Sequence, residues 1–357
     1  MKRMKVGIVL LALLLAAMVM IPMVNAAEQN TNEMALDKNN TSTLDASNDT
    51  DIQLLLASAT TKEYLPDSMQ DEKSLNNYTS PARSIIDLMK QKGYTNSQIT
   101  NTLEKQGYGW DPQTNACWKG TAPTKEEQKT IARIRGPGYS PSYLSNSIQG
   151  LNVLSDRQAY RQLKVINDNL YFGVNINMKP GNTLTNNAGT YEHVVTTHVG
   201  KKPNPSTECW AEAGVDKRSD NTPRRFFTYD NDEGQWQYHE NADATTLTNY
   251  KIYVTTTHES AGYVYHIWIG NQWKRDGHLA YRENVIDSAN EIWASGSNPF
   301  TSDSSTSVFR DGYLYKSSGI SQWGADVPTY FNFNPNPCPI SESIDRNANP
   351  FLWTTWV

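Results

Sequence analysis

Two periodicities divide the chain. Between Ser80 and Gly107 apolar residues recur at helical spacing. Ser80-Pro81 is a helix start, a capping hydroxyl followed by proline at the first position. Ile85, Ile86, Leu88 and Met89 supply one apolar face, and Gly93 is a stop. Thr95 and Gln98 have capping-box spacing and open a second helix through Ile99 and Leu103 to Gly107. YGWDPQTNACWKG, starting at Tyr108, predicts a small aromatic hairpin turning near Asp111-Pro112. A third helix is expected from Thr124 to about Ile134, and RGPGYSPS from Arg135 reads as a boundary.

Beyond residue 165 the period becomes two. YFGVNINM, YEHVVTTHVG, CWAEAGVD, RRFFTYDN, NYKIYVTTTH, GYVYHIWIG and SANEIWAS are rich in β-branched and aromatic residues. Polar turn clusters such as PGNT, KKPNPST and NDEG separate them. Many short strands with no helical period between them predict an all-β fold. The expected architecture is an antiparallel β-sandwich of two sheets, jelly-roll or concanavalin-like, preceded by a small helical N-terminal segment.

The first residues read as an address. Lys2, Arg3 and Lys5 precede an uncharged apolar run from Val6 to Val24, and Val24-Asn25-Ala26 offers small residues for cleavage. Residues 1–27 are therefore expected to be a signal peptide, with an uncleaved membrane anchor as the alternative. No other stretch has the length and apolarity of a span, so a secreted or cell-surface protein with no further membrane partner is expected. Residues 28–78, rich in Asn, Thr, Asp and Ser, are expected to be a flexible polar segment. Residues 79–138 form the helical unit, a pro-segment or binding module. Residues 139–357 form the β-sandwich domain.

Composition narrows the partners. The net charge is −5, with Lys and Arg scattered, so no basic stripe for nucleic acid is present. Cys117, Cys209 and Cys338 permit one disulfide, and pairing Cys209 with Cys338 would staple the C-terminal domain. Their spacing offers no zinc site, the six histidines show no ligand spacing, and no metal or cofactor is expected. His198 and His266 read as strand residues with hydrogen-bond partners. HExxH, GxSxG and a phosphate loop are missing.

Strand carboxylates remain. In ECWAEAGVDK one register is Cys209, Ala211, Ala213 and Val215, suited to a core; the other is Trp210, Glu212, Gly214 and Asp216. In DSANEIWASG, Glu291 shares its face with Trp293. Each carboxylate thus lies two residues from a tryptophan on the same face. Partial burial against an indole raises a carboxyl pKa, and a second carboxylate nearby raises one of the two further. Such a pair can hold one acid and one base. The aromatic residues of these strands either line a groove or fill the core and its rim.

The stretch EAGVDKRSDNTPRRFFTYDNDEGQW, from Glu212 to Trp236, resembles the neprosin domain of secreted glutamic peptidases. HVG at 198–200 and ANEIW at 289–293 also resemble the related fungal glutamic peptidases, the eqolisins. The resemblance implies a two-sheet sandwich, a polypeptide substrate and a metal-independent dyad on a concave face. Glu212 falls on the first catalytic position and Glu291 on the second, where the fungal group makes the second residue the base. Trp210 and Trp293 are expected as groove walls and His198 as a substrate-binding neighbour. Arg225 is expected to hold a carboxylate or the turn near Asp230, or else to form a surface ion pair. A precursor with acid-favoured activity and a monomeric state follow as expectations. Two other readings share the same strands: a non-catalytic surface or glycan-binding sandwich, and a glycoside hydrolase using the same carboxylates.

Overall fold

The computed structural model describes residues 46–65, 71–120, 124, 156–165, 170–181, 183–185, 191–201, 209–218, 224–231, 234–294, 300–303, 305–335 and 338–356. The expected signal, most of the third helix and the RGPGYSPS boundary lie outside these residues.

Four helices come first: α1 (Thr50–Lys62), α2 (Glu72–Asn76), α3 (Pro81–Gln91) and α4 (Asn96–Lys105). Ser80 caps α3 by accepting from the Arg83 amide, and Ala82, Ile85, Ile86 and Met89 are buried on its inner face. Thr95 and Gln98 close the capping box of α4 in both directions. Helices α1 and α2 lie within residues 28–78, expected as a flexible polar segment, and correct that expectation for 50–62 and 72–76 alone. Asp49 caps α1 through the amides of Asp51 and Ile52, and Ile52 and Ala59 are buried. Side-chain capping satisfies amide groups that a helix start leaves orphaned, which lets a polar sequence hold a helix once one face is packed.

The strands are β1 (Tyr108–Trp110), β2 (Cys117–Lys119), β3 (Asp156–Val165), β4 (Gly173–Lys179), β5 (Thr183–Thr185), β6 (Tyr191–Lys201), β7 (Cys209–Arg218), β8 (Arg225–Asp230), β9 (Gln235–Asn241) and β10 (Thr248–Glu259). They continue as β11 (Gly262–Ile269), β12 (Gln272–Leu279), β13 (Val285–Ala294), β14 (Phe300–Asp303), β15 (Ser307–Lys316), β16 (Gly319–Gln322), β17 (Thr329–Asn334), β18 (Ser341–Ile344) and β19 (Trp353–Trp356). A ten-stranded sheet runs β1-β2-β12-β11-β10-β4-β15-β19-β18, with β16 on β15. A seven-stranded sheet runs β17-β3-β13-β6-β7-β8-β9. All the pairings are antiparallel, and the architecture is the expected two-sheet sandwich.

Between the sheets, Val195, Val199, Ala211, Ala213 and Val215 of the smaller sheet join Val174, Ile176, Ile252 and Ile267 of the larger in one core. Fully burying a valine or isoleucine contributes about 1.5–3 kcal/mol, so this face fixes the register of β6 and β7. Trp210, Glu212, Gly214 and Asp216 therefore point to the other face. The helices belong to the same compact unit, residues 46–357, as both sheets. The β1–β2 hairpin adds to the larger sheet, with Cys117 opposite Asp276 and Trp118 opposite Arg275. Ser80 donates to Asp276 Oδ2 at 2.5 Å, fastening α3 to the same strand. Cys117, Cys209 and Cys338 form no disulfide, so the pairing that the sequence permits is not made. Cys209 is in the inter-sheet core, whereas Cys338 packs with Ala159, Ile292 and Ile340 in a separate cluster.

Candidate active site

Strand β6 runs between β13 and β7, and its register sets three rows across the outer face of the smaller sheet. Asp287, His198, Glu212 and Tyr229 form one row. Ala289, Thr196, Gly214 and Phe227 form the next. Glu291, Val194, Asp216 and Arg225 form the third. Acidic rows thus flank a strip whose first three members are small. Gly214 keeps that strip low, because a Cβ there would sit 2.9 Å from the Thr196 Cα.

Glu212 is 1% exposed and is held by neighbours on its own and the adjacent strand. Thr196 Oγ1 donates to its Oε1 at 3.0 Å, and Trp210 Nε1 donates to its Oε2 at 3.3 Å. His198 Nε2 lies 3.3 Å from the same Oε2. On its other side His198 Nδ1 meets Asp287 Oδ1 at 2.6 Å. One imidazole is therefore shared by two carboxylates. Burial works against charging this ring, but the Asp287 and Glu212 carboxylates outweigh it and push the His198 pKa up to about 10.

Glu291 repeats the indole contact: Trp293 Nε1 donates to its Oε2 at 3.1 Å. It does not share the Glu212 row. Four residues along a strand separate the two rows, about 13 Å at 3.3 Å per residue. Thr196 links them, since it is the diagonal neighbour of both glutamates, each roughly 7–8 Å away between backbones. In the Glu291 row, Tyr238 donates to Asp216 Oδ2 at 2.7 Å, and Arg218 Nε approaches the same oxygen at 3.9 Å.

The expected residues take distinct places. Trp210, His198 and Glu212 are in direct contact, and Glu291 with Trp293 occupies the same face one diagonal beyond Thr196. Arg225 lies opposite Asp216 and stacks 3.6 Å over the Tyr238 ring, at the far end of β8 from Asp230. Asp230 instead faces inward and accepts from the Tyr265 hydroxyl at 2.6 Å. Tyr229, Trp236, Phe227 and Tyr238 pack on one another, the Phe227 and Trp236 rings stacked with centroids 4.2 Å apart. Two residues of the site were not anticipated, Thr196 and Asp287. Asp287 is four residues before Glu291 on the same strand face, a period-two signal, but its bond to His198 follows only from long-range pairing. Among the described residues, no cluster of His, Cys, Asp and Glu is arranged to hold a metal ion.

No protein-family model matches the chain, and no curated protein matches it. Solved structures do. Scytalido-glutamic peptidase, crystallised with a transition state analog inhibitor, is 12% identical with a TM-score of 0.38, over 57% of this chain and 100% of that chain. SCP-B, a member of the eqolisin family of peptidases in complex with the tripeptide Ala-Ile-His, is 10% identical with a TM-score of 0.38, again over 57% and 100%. The β-glucanase of Bacillus licheniformis is 14% identical with a TM-score of 0.25, over 38% of this chain and 58% of that one.

Proposed function

We propose that this chain is a metal-independent glutamic endopeptidase, secreted and made as a precursor. The observation that carries the reading is the placement of Glu212 and Glu291. Both lie on one face of one sheet, each bonded to the indole N–H of a tryptophan two residues away, on opposite diagonals of Thr196. Between them lie the small, buried residues Ala289, Thr196 and Gly214, the strip along which an extended polypeptide would run. One glutamate takes a proton from the attacking water and passes it to the leaving amine. The other donates a hydrogen bond to the scissile carbonyl, which requires its acid form and favours activity at acid pH.

The glycan-binding alternative calls for aromatic rings open to sugar. Phe227, Tyr229 and Trp236 on this face are buried against each other, so these three rings are not open to a sugar.

The test is digestion. Protein lacking residues 1–27 is incubated with denatured casein from about pH 3 to 8, with and without chelator. Chelator-resistant cleavage, strongest at acid pH and lost in Glu212→Gln and Glu291→Gln, is expected. Intact casein throughout, with sugar binding in a glycan screen, would replace this reading with the binding module.

A further inference from the structure

Resting on the peptidase reading, we infer that His198 and Asp287 form a positioning clamp that holds Glu212 as the water-activating base, leaving Glu291 as the partner that polarises the carbonyl. This reverses the assignment suggested by the fungal peptidases. The geometry is the reason. Both nitrogens of His198 face carboxylate oxygens, Nδ1 toward Asp287 at 2.6 Å and Nε2 toward Glu212 at 3.3 Å. An ionised carboxylate only accepts hydrogen bonds, and a neutral imidazole has only one N–H to donate. A ring between two such acceptors is satisfied as the imidazolium, and a cation beside Glu212 favours the ionised form that a base requires.

The surrounding groups agree with one cation serving two anions. Glu212 comes from β7 and Asp287 from β13, on either side of His198. One strand further out, Lys164 on β3 is in register with Asp287, and Tyr229 on β8 with Glu212. Beyond Lys164 the row ends at Tyr330 on β17. The side chains of His198 and Asp287 are 16% and 13% exposed, and that of Glu212 is 1% exposed beneath them.

The step balances within the site. A water O–H bond breaks as its oxygen bonds to the scissile carbonyl carbon, and the proton passes to Glu212. The C–N bond then breaks as that proton moves from Glu212 to the amine nitrogen, which restores the carboxylate. His198 and Asp287 neither gain nor lose a proton.

Two readouts test the assignment. Side-chain NMR of histidine-labelled full-length protein reports the His198 protonation state directly. Doubly protonated nitrogens at neutral pH are expected in the wild type, with the titration midpoint moving toward the ordinary histidine range in Asp287→Asn. In parallel, pH–rate profiles are recorded on a peptide substrate. His198→Gln should raise the acid limb of kcat/KM by about 1–2 pH units, because an opposite charge nearby shifts a carboxylate by that order. Asp287→Asn should leave the acid limb near its wild-type position, because a histidine in the ordinary range is still protonated at that pH. A neutral His198 in an active enzyme, or an acid limb unmoved by His198→Gln, overturns the assignment and leaves the peptidase reading standing. A wild type that cleaves no peptide removes the peptidase reading itself, and the base with it.

Discussion

Two carboxylate–histidine sites among the described residues, Asp276 with His266 on the larger sheet and Glu212 with His198 on the smaller, differ in where their partners come from. On the larger sheet, Asp276 accepts from His266 Nδ1 and Trp273 Nε1 at 2.6 Å on one oxygen. Its other oxygen takes Ser80 at 2.5 Å and Cys117 Sγ at 3.7 Å. Ser80 and Cys117 belong to the helical segment, so one carboxylate ties that segment to β12. Nearby Glu259 joins the same seam, taking His278 at 3.1 Å, Asn115 at 3.0 Å and Arg83 at 3.6 Å. On the smaller sheet Thr196, Trp210, His198 and Asp287 come from three adjacent strands, and one histidine lies between two carboxylates. In the first site donors from distant segments gather on one carboxylate; in the second, neighbouring strands of one sheet bring one imidazole between two carboxylates. A carboxylate–histidine pair can thus fasten distant segments or join neighbouring strands of one sheet, according to its placement and not its residue types.

The largest effect that would break this contrast is on catalysis. Glu212→Gln is expected to lower kcat by about 10³-fold, the scale of positioned acid–base catalysis, with the fold intact by circular dichroism. Asp276→Ala should do the reverse, costing about 3–5 kcal/mol in urea unfolding while kcat/KM below the transition stays at the wild-type value. Loss of activity in a folded Asp276→Ala protein would erase the distinction. Next comes Thr196→Val, which removes a donor from Glu212. It should cost about 1–3 kcal/mol of stability and reduce kcat, measured by melting and initial rates.

The smallest effects sharpen the contrast through pH. Hydrogen bonding by His278, aided by Asn115 and Arg83, holds Glu259 down at about 2 against an ordinary 4.5. Its folded-state pKa is depressed, so its contribution is present above 4.5 and lost as pH falls through about 2. His198 is raised from 6.5 to about 10, so its contribution is complete below 6.5 and lost as pH rises through about 10. Melting temperatures should therefore lose their acid slope in Glu259→Gln and their alkaline slope in His198→Gln. Exchanged slopes would contradict both accounts.

Much of this was legible in the sequence, for local reasons. Period two separated Ala211 and Ala213 from Trp210 and Glu212, because a strand exposes alternate residues to one core. The caps at Ser80 and Thr95 announced α3 and α4. The spacing of each glutamate from its tryptophan survived as real Nε1–carboxylate bonds. What stayed hidden depends on distant pairing. Asp287 and His198 are 89 positions apart and meet only because β13 and β6 are neighbours. Helix α1 was masked by the Asn-, Thr-, Asp- and Ser-rich stretch around it, since its own apolar residues gain their value only from packing. Strand β3 begins at Asp156, ahead of the expected start of the β region, because its Arg-, Gln- and Lys-rich sequence has low β-propensity. Pairing with β13 and β17 supplies its stability.

The most direct test of the central claim is the initial rate of peptide cleavage by wild type and Glu212→Gln, side by side, in chelator at about pH 4. Melting curves confirm that both are folded. The account predicts measurable cleavage by the wild type and a residual rate about 10³-fold lower in the variant. Equal rates from two folded proteins would contradict it.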